Sequence, residues 1–153
     1  MATLKEGEKA PGFTAKDQNG NMVSLSDFKG KNVILYFYPK DDTPGCTAEA
    51  CSFRDNYQSL VSHGFAVIGV STDSEKSHKK FETKYNLPFT LIADEDKVIN
   101  EAYGVWGEKS MYGKTYMGTV RTTFIINATG TISNIITKVD NANATQQVLD
   151  LLG

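Results

Sequence analysis

Two cysteines, Cys46 and Cys51, are the residues of this chain that are best suited to covalent chemistry. Cys46 follows Thr43-Pro44-Gly45, a turn sequence between an apolar run and a predicted helix. A cysteine in the first turn of a helix faces backbone N–H groups that lack intrahelical partners, and this environment favours the thiolate form. Because the thiolate is the nucleophilic form, the position predicts a reactive thiol at Cys46.

The spacing of the two cysteines limits when they can form a disulfide. On an ideal helix, a step of five residues turns about 140° and rises about 7.5 Å, which separates the Cα atoms by roughly 8–9 Å. A disulfide requires Cα atoms within about 7 Å of each other. Cys46 and Cys51 therefore cannot bridge while both are helical, and any pairing between them requires the first helical turns to unwind.

Other interpretations of the two thiols stay open on residue type alone. Free cysteine is among the most buried residue types, so inert packing fits either thiol, and it fits Cys51 better than Cys46. A metal site has weaker support, because the chain has no second Cys or His pair at ligand spacing. His63, at the far end of the same predicted helix, and His78, on the next helix, give little support for a cysteine–histidine dyad. Activation of Cys46 would then be electrostatic.

Length and composition describe a chain that can form a core without crosslinks. It has 153 residues, of which 40% are hydrophobic, a formal net charge of −2 and no basic run. These properties argue against nucleic acid or an anionic membrane as a partner. The longest apolar run, 33–38, is far too short to span a bilayer, and the first twelve residues lack the apolar core of a signal peptide. We therefore expect one domain over residues 1–153, located in the cytoplasm, where thiols are kept reduced.

Strands that alternate with helices along the chain predict an α/β fold. Asn19-Gly20 between 13–16 and 22–25 indicates an N-terminal β-hairpin, and 33–38 is an apolar run typical of a strand buried on both faces. The remaining predicted elements are helices at 44–63, 74–85 and 94–103, with Ser74 and Asp94 as N-caps, strands at 65–70 and 89–93, a loop at 104–118, a hairpin at 121–126 and 131–139, and a final helix with Ala144, Val148, Leu151 and Leu152 on one face.

This order of elements predicts a three-layer α/β/α sandwich with a mixed central sheet. The predicted strand at 33–38 ends shortly before Cys46. Both cysteines therefore lie just beyond the carboxyl edge of the sheet, where folds of this class bind their ligands.

The residues around Cys46 resemble the active-site motif of the peroxiredoxins, Pro39-x-x-x-Thr43-x-x-Cys46. Residues 43–55, TPGCTAEACSFRD, are similar to the Q-type branch of that family, the bacterioferritin comigratory protein group. The similarity extends over nearly the whole chain and includes residues 11–13, 25–30, 105–109 and 121–126. It implies a thioredoxin-like fold, which agrees with the predicted order of elements.

The resemblance implies a role for each of five residues. Cys46 is the peroxidatic cysteine and Cys51 is the resolving cysteine. Thr43 hydrogen-bonds the peroxide, Pro39 shields the site, and Arg121 is the cation beside the thiolate. A guanidinium keeps its charge at cellular pH and offers five donors, so Arg121 can hold the thiolate and polarise the peroxide oxygens together. Residue type alone also fits Arg121 as a solvated surface residue and Thr43 as a helix N-cap.

Two further residues belong to the implied site. The backbone N–H groups near Gly45 and Cys46 complete a polar pocket that favours the charge developing as the O–O bond breaks. Glu49 is by default a favourable charge in the first turns of a helix, and the resemblance implies that it shapes the site. We interpret the aromatic stretch 106–117 as packing over the core rather than as a rim for substrate or reductase.

The resemblance implies a thiol-dependent peroxidase without metal, haem or flavin. Hydrogen peroxide or an organic hydroperoxide oxidises Cys46 to a sulfenic acid, Cys51 condenses with it to give an intramolecular disulfide, and thioredoxin reduces that disulfide. Such a protein serves antioxidant defence and cell redox homeostasis. A monomer suffices for this chemistry, and a dimer stays open.

Two rival functions stay open on the sequence. A disulfide oxidoreductase would use the same thiols, but its usual C-x-x-C pair closes without unwinding a helix. A redox sensor or chaperone-like binding protein would use oxidation only to expose apolar helix surface. Peroxide-driven turnover with a dithiol reductant separates the peroxidase from both.

Overall fold

The computed structural model describes residues 4–151, so Leu152, the last apolar residue of the predicted final helix, lies outside the described residues. The described residues form the strands β1 (Thr14–Lys16), β2 (Met22–Ser24), β3 (Asn32–Phe37), β4 (Phe65–Ser71), β5 (Thr90–Ala93), β6 (Trp106–Met111), β7 (Lys114–Thr119), β8 (Thr122–Ile126) and β9 (Ile132–Ile136). They also form the helices α1 (Pro44–Asp55), α2 (Tyr57–Ser62), α3 (Glu75–Tyr85), α4 (Val98–Ala102) and α5 (Ala144–Leu151), with short 3₁₀ helices at Leu25–Phe28 and Asn141–Asn143. None of the helices within residues 4–151 has the length and apolar character that crossing a bilayer requires.

The central sheet has five strands in the order β5-β4-β3-β8-β9. β3 pairs in parallel with β4, and β4 pairs in parallel with β5, whereas β8 runs antiparallel to both β3 and β9. Helical crossovers connect the parallel strands, and the closing hairpin supplies the antiparallel ones. The mixed central sheet and the N-terminal hairpin of β1 and β2 are therefore confirmed.

Residues of β3 alternate between two apolar cores, one on each face of the sheet. Ile34 and Tyr36 belong to the core that α1, α2, α3 and α5 cover, whereas Val33, Leu35 and Phe37 belong to the core that α4 covers. Because a strand directs successive side chains to opposite faces, an unbroken apolar run supplies both cores at once. The result is the predicted three-layer α/β/α sandwich.

Side chains cap the N-terminal ends of α3 and α4. The Ser74 hydroxyl accepts a hydrogen bond from the Ser77 N–H at 3.1 Å, and Asn86 ends α3 in a left-handed conformation at φ 53°. Asp94 accepts two backbone N–H groups of α4, as expected for a capping residue. α4 is shorter than its predicted range, because Lys97 adopts a left-handed conformation at φ 64° between Asp94 and the helix.

The prediction of one helix over 44–63 is wrong, because Asn56 divides it into α1 and α2. In a continuous helix, the carbonyl of Ser52 would accept the N–H of Asn56. That carbonyl instead accepts the side chain of Asn56 at 2.8 Å and the hydroxyl of Thr145 at 2.9 Å. Competition from these two side chains interrupts the helical hydrogen bonds.

The prediction of an irregular loop over 104–118 is also wrong, because β6 and β7 pair as an antiparallel hairpin. The two strands leave a two-residue turn, Tyr112-Gly113, with both residues at positive φ, 52° and 77°. Two left-handed residues match the twist of the flanking strands and are typical of a tight hairpin turn. Most of β7 is exposed, so the segment lacks the alternation of buried and polar residues that marks a half-buried strand.

A buried polar pair, Ser52 and Thr145, ties α5 to the middle of α1. The Thr145 hydroxyl donates to the Ser52 carbonyl at 2.9 Å, and the Ser52 hydroxyl donates to Thr145 Oγ1 at 3.2 Å. The Thr145 N–H donates to Ser52 Oγ at 3.1 Å. A buried polar group that loses its partner retains its full cost of desolvation, so these bonds hold α1 against the rest of the fold.

Thr145→Val keeps the shape of the side chain and removes its hydroxyl, so it should lower the free energy of unfolding by about 1–3 kcal/mol. Urea denaturation at pH 7, followed by circular dichroism, measures the change. Thr83→Val on the exposed side of α3 is the matched control and should change the free energy of unfolding by less than about 0.5 kcal/mol. An unchanged midpoint for Thr145→Val would show that these bonds add nothing to stability.

Candidate active site

Cys46 lies in the first turn of α1, just beyond the carboxyl end of β3. Thr43 is the N-cap in an extended conformation, and Pro44 is the first helical residue, where its missing N–H costs no hydrogen bond. Cys46 is only 1% exposed. The turn therefore places a buried thiol at the end of a helix where free N–H groups and the positive end of the dipole lie, as the sequence predicts.

Arg121 is the cation that faces this thiol. Its Nη2 donates a hydrogen bond to Cys46 Sγ at 3.1 Å. The antiparallel pairing of β3 with β8 sets Phe37 opposite Thr122, so residue 121 reaches the end of β3 and the start of α1. Burial lowers the pKa of Arg121, but the neighbouring Glu49 and Cys46 outweigh burial and raise it, so the guanidinium stays charged.

Glu49 lies one turn after Cys46 on the same side of α1 and is fully buried. Arg121 Nη1 donates to Glu49 Oε1 at 2.5 Å, so a single guanidinium contacts both the thiol and the carboxyl group. The other oxygen, Oε2, is buried and has no hydrogen-bond partner among residues 4–151. Burial raises the pKa of Glu49 to about 7, because it outweighs the attraction of Arg121, which lowers that pKa.

Pro39 and Thr43 lie on the turn that joins β3 to α1. The Thr43 hydroxyl donates to the carbonyl of Lys40 at 2.9 Å, which leaves the lone pairs of its oxygen free to accept another donor. In the described part of the chain, no hydrogen bond joins Thr43 to the Cys46 thiol. The structure thus brings Arg121 and Glu49 into contact around Cys46 and places Pro39 and Thr43 beside it along the turn.

Gly45 lets the C-terminal segment pack closely against the turn. A Cβ at this position would lie 2.9 Å from Asn141 Nδ2 and 3.4 Å from Arg121 Nη2. Asn141 belongs to the 3₁₀ helix that precedes α5, and no local pattern in the sequence links it to Cys46. A side chain at residue 45 would have to displace the amide of Asn141 and press on the guanidinium of Arg121, so glycine allows this close approach.

Two other neighbours of the site were missed by the sequence analysis. Tyr36 is fully buried, and burial raises its pKa, as do the nearby Glu49 and Cys46. Lys109 on β6 has a pKa that burial and the charge of Arg121 lower. Tyr36 belongs to an apolar run that indicates only a buried strand, and Lys109 belongs to a segment predicted to be a loop, so neither residue was expected near Cys46.

Cys51 lies on α1 with Cys46, is half-buried, and is a free thiol like Cys46. Because both residues are helical, their Cα atoms are held roughly 8–9 Å apart, beyond disulfide range. His63 and His78 bond to a backbone carbonyl and to Asp41, and neither hydrogen-bonds a thiol within residues 4–151. The sequence-based argument against a cysteine–histidine dyad agrees with this geometry.

The arrangement suits attack by a thiolate on an electrophilic oxygen. A fixed cation and the N–H groups of a helix start stabilise negative charge at one buried sulfur. The fold and this cysteine site together define a thiol-dependent peroxidase of the thioredoxin-like class.

Comparison with known proteins assigns the family. Residues 7–135 match the AhpC/TSA family, and the chain belongs to this family. A Coxiella burnetii protein named putative peroxiredoxin bcp is 54% identical over 137 residues, which cover 90% of this chain and 91% of the relative. Peroxiredoxin Bcp of Escherichia coli K12 is 46% identical over 152 residues, which cover 99% of this chain and 97% of the relative.

Solved structures have the same fold. A mutant of Xylella fastidiosa PrxQ superposes with a TM-score of 0.92 at 31% identity, covering 99% of this chain and 97% of that one. A mutant of Xanthomonas campestris peroxiredoxin Q gives a TM-score of 0.86 at 36% identity, with coverage of 92% and 89%. The predicted resemblance to Q-type peroxiredoxins and the thioredoxin-like fold are confirmed.

The buried carboxyl group of Glu49 makes stability depend on pH. Its pKa rises from 4.5 to about 7 on folding, so the folded chain binds an additional proton between these two values. The contribution of Glu49 to stability is full below the lower value and is lost as the pH rises through the higher one. Stability should therefore fall across this window.

Glu49→Gln should flatten this dependence, because an amide does not titrate. Urea denaturation between about pH 5 and pH 8 should show wild type losing stability with rising pH and Glu49→Gln losing less. Glu101→Gln, exposed on α4, is the matched control and should follow the wild-type curve. Parallel curves for wild type and Glu49→Gln would show that Glu49 does not take up a proton on folding.

Proposed function

We propose that this chain reduces hydroperoxides with Cys46 as the peroxidatic cysteine, Cys51 as the resolving cysteine and thioredoxin as the recycling dithiol. The observation that carries the proposal is the contact of Arg121 Nη2 with Cys46 Sγ, at 3.1 Å, in the first turn of α1. A cation and a helix N-terminus at the same sulfur favour the thiolate, which is the form that attacks peroxide.

In the first step, the Cys46 thiolate attacks the terminal oxygen of the hydroperoxide. A sulfur–oxygen bond forms as the O–O bond breaks, so the sulfur is oxidised and the peroxide is reduced. The attacked oxygen keeps its hydrogen as part of the sulfenic acid, and the departing alkoxide or hydroxide takes a proton from water. Arg121 and the N–H groups of the turn stabilise the negative charge as it moves from sulfur to the leaving oxygen.

Three further residues complete the site in this proposal. Thr43, whose hydrogen is given to the Lys40 carbonyl, accepts the O–H of the hydroperoxide on its free lone pairs. Pro39 shields the sulfur from water. Glu49 holds the guanidinium of Arg121 in position through its Oε1.

In the second step, the sulfur of Cys51 attacks the sulfenic sulfur of Cys46, which gives a disulfide and one molecule of water. α1 unwinds for this step, because its helical geometry keeps the two sulfurs apart. A thioredoxin-type dithiol then reduces the disulfide to two thiols and is itself oxidised to a disulfide. Membership of the AhpC/TSA family supports a dithiol of this type.

Hydrogen peroxide and organic hydroperoxides are the proposed substrates. A structural neighbour with a TM-score of 0.85 and 35% identity, the bacterioferritin comigratory protein of Xanthomonas campestris, is described by its alkyl peroxide reduction activity. Both cysteines of the proposed disulfide belong to one chain, so a monomer suffices for the reaction. A role in antioxidant defence within a reducing cytoplasm fits a cycle that starts and ends with two free thiols.

Substitution of each cysteine separates the peroxidase from the rival functions. Cys46→Ser should abolish oxidation by one equivalent of hydrogen peroxide in stopped flow, because no thiolate is left to attack. Cys51→Ser should still form a sulfenic acid, trapped by dimedone, but should lose turnover coupled to thioredoxin, thioredoxin reductase and NADPH. Each variant is the matched control for the other.

The alternative outcomes point to different functions. Full peroxide consumption by Cys46→Ser would rule out the proposal. Slow oxidation of the wild type with rapid dithiol exchange would indicate a disulfide oxidoreductase. Fast oxidation without turnover would indicate a redox sensor.

Formation of the Cys46–Cys51 disulfide should melt the first turns of α1. We expect the disulfide form to lose helical signal in far-ultraviolet circular dichroism and to exchange the amides of 44–56 faster than the thiol form. The amides of α3 serve as the internal control and should keep their protection. Identical dichroism and exchange in both forms would contradict the unwinding.

A further inference from the structure

His78 is a buried histidine of α3, and both of its ring nitrogens are engaged. Nε2 lies 2.8 Å from the carbonyl oxygen of Ile92, and Nδ1 lies 2.7 Å from Oδ2 of Asp41. A carbonyl oxygen only accepts, so Nε2 carries a hydrogen, and an ionised carboxylate also only accepts, so Nδ1 carries one as well. His78 is therefore an imidazolium that pairs with the Asp41 carboxylate.

The surroundings of the ring favour its protonated form. Burial lowers the pKa of His78, but the hydrogen bond and charge of Asp41 outweigh burial and raise it, with help from the Ile92 carbonyl and Asp73. The hydroxyl of Tyr38 also faces the ring, and burial and Asp41 raise the pKa of Tyr38, so that hydroxyl stays a donor.

The Asp41 side chain is held by three donors. Its carboxylate accepts the Tyr38 hydroxyl at 2.6 Å, the Ser77 hydroxyl at 2.8 Å and the imidazolium of His78. Its backbone N–H donates to Asp73 Oδ2 at 2.8 Å. A buried carboxylate with this set of partners has one favourable orientation, which fixes the backbone at residue 41 as well.

The next residue, Asp42, is fixed by the same helix. It adopts a left-handed conformation at φ 58°, which is uncommon for residues other than glycine. Lys84 and Tyr85, at the end of α3, each donate to its carboxylate at 2.7 Å. Two consecutive residues of the active-site turn are therefore clamped to α3.

Asp41 and Asp42 lie between Pro39 and Thr43, so their conformation determines the position of the Thr43 hydroxyl. That hydroxyl is bonded to the carbonyl of Lys40, immediately before Asp41. A rotation of the peptide at residue 41 would move the carbonyl and release the hydroxyl. Misplacement of a positioning group by about 1 Å costs about 100-fold in rate.

The same cluster offers three atoms of the kind that bind metal ions. Three such atoms lie within 4.8 Å of one another, one each from Asp41, Asp73 and His78. Each of these atoms already takes part in hydrogen bonds among the described residues, including the bond from the Ser71 hydroxyl to Asp73 at 2.7 Å. The cluster is thus a closed hydrogen-bond network, and its contacts lead to the active-site turn.

We propose that His78 and Asp41 form a buried positioning pair that orients the 39–46 turn for attack on peroxide. His78 contacts neither the thiol nor the peroxide and acts through Asp41 on Thr43. The inference rests on the proposed function of Cys46 and adds a residue of α3 to that reaction. The nitrogen of His78 that faces Asp41 then matters for catalysis, and the nitrogen that faces Ile92 does not.

Two substitutions in the full chain test the two nitrogens separately. His78→Asn places an amide N–H near Nδ1 and keeps the bond to Asp41, whereas His78→Gln places one near Nε2 and keeps the bond to Ile92. We expect His78→Gln to slow oxidation by hydrogen peroxide about 100-fold and His78→Asn to slow it less than about 5-fold. Alkylation by iodoacetamide, which needs the thiolate but not Thr43, should change less than about 3-fold in both.

His63→Gln, at the exposed histidine, is the matched control and should keep wild-type rates in both assays. A normal oxidation rate in His78→Gln with a slow one in His78→Asn would overturn the proposal, because His78 would then act only by tying α3 to β5. Equal losses of oxidation and alkylation would overturn it as well, since the thiol itself would be affected.

Ser77→Ala keeps the proposal testable if both His78 variants fail to fold. It removes one donor to Asp41 from a partly buried position and should slow oxidation about 5-fold without changing alkylation. An oxidation rate equal to that of the wild type would overturn the proposal. Failure of the proposed function looks different, because a Cys46→Ser chain would then still consume peroxide.

Discussion

One guanidinium joins the thiol and the carboxyl group of the active site, and its placement depends on the pairing of β3 with β8. Arg121 immediately precedes β8, and the antiparallel register carries it to the end of β3, where α1 begins. From there, Nη2 contacts Cys46 and Nη1 contacts Glu49. A shift of that register by one residue would turn Arg121 toward the opposite face of the sheet. The register of β8 against β3 therefore decides whether Arg121 can contact Cys46.

In the proposed cycle, the helix that carries both cysteines has two states with opposite requirements. Attack on peroxide needs an intact first turn, because that turn presents Cys46 to Arg121, whereas the proposed disulfide needs the same turn to open. The bonds between Ser52 and Thr145 stabilise the closed helix. Glu49 acts in the other direction, because a buried carboxyl group with an unpartnered oxygen weakens the helix that contains it. These opposing contributions suit a helix that both forms and opens in the proposed cycle.

The sequence predicted the features that depend on neighbouring residues, and it missed those that depend on contacts between residues far apart in the chain. The start of α1 before Cys46 follows from turn and cap residues that are adjacent in the chain, and the two-sided burial of β3 follows from its apolar run. The contact of Arg121 with the thiol came from the family resemblance, because no spacing in one sequence reveals a strand register. The break at Asn56 depends in part on Thr145, which is remote in sequence, and the hairpin of β6 and β7 is too exposed to show a strand pattern. The contact of His78 with Asp41 in the active-site turn also joins residues far apart in the chain, and neither residue is part of a recognisable motif.

The break at Asn56 separates the hydrogen bonds of α1 from those of α2. α2 begins again at Tyr57 and is held by Leu60, which is fully buried in the core on that face of the sheet. Because the hydrogen bonds of α2 do not continue those of α1, melting of α1 can end at the break and leave the remaining core intact. Each round of the proposed cycle is then a local unfolding of α1 that ends where the side chains of Asn56 and Thr145 occupy the carbonyl of Ser52.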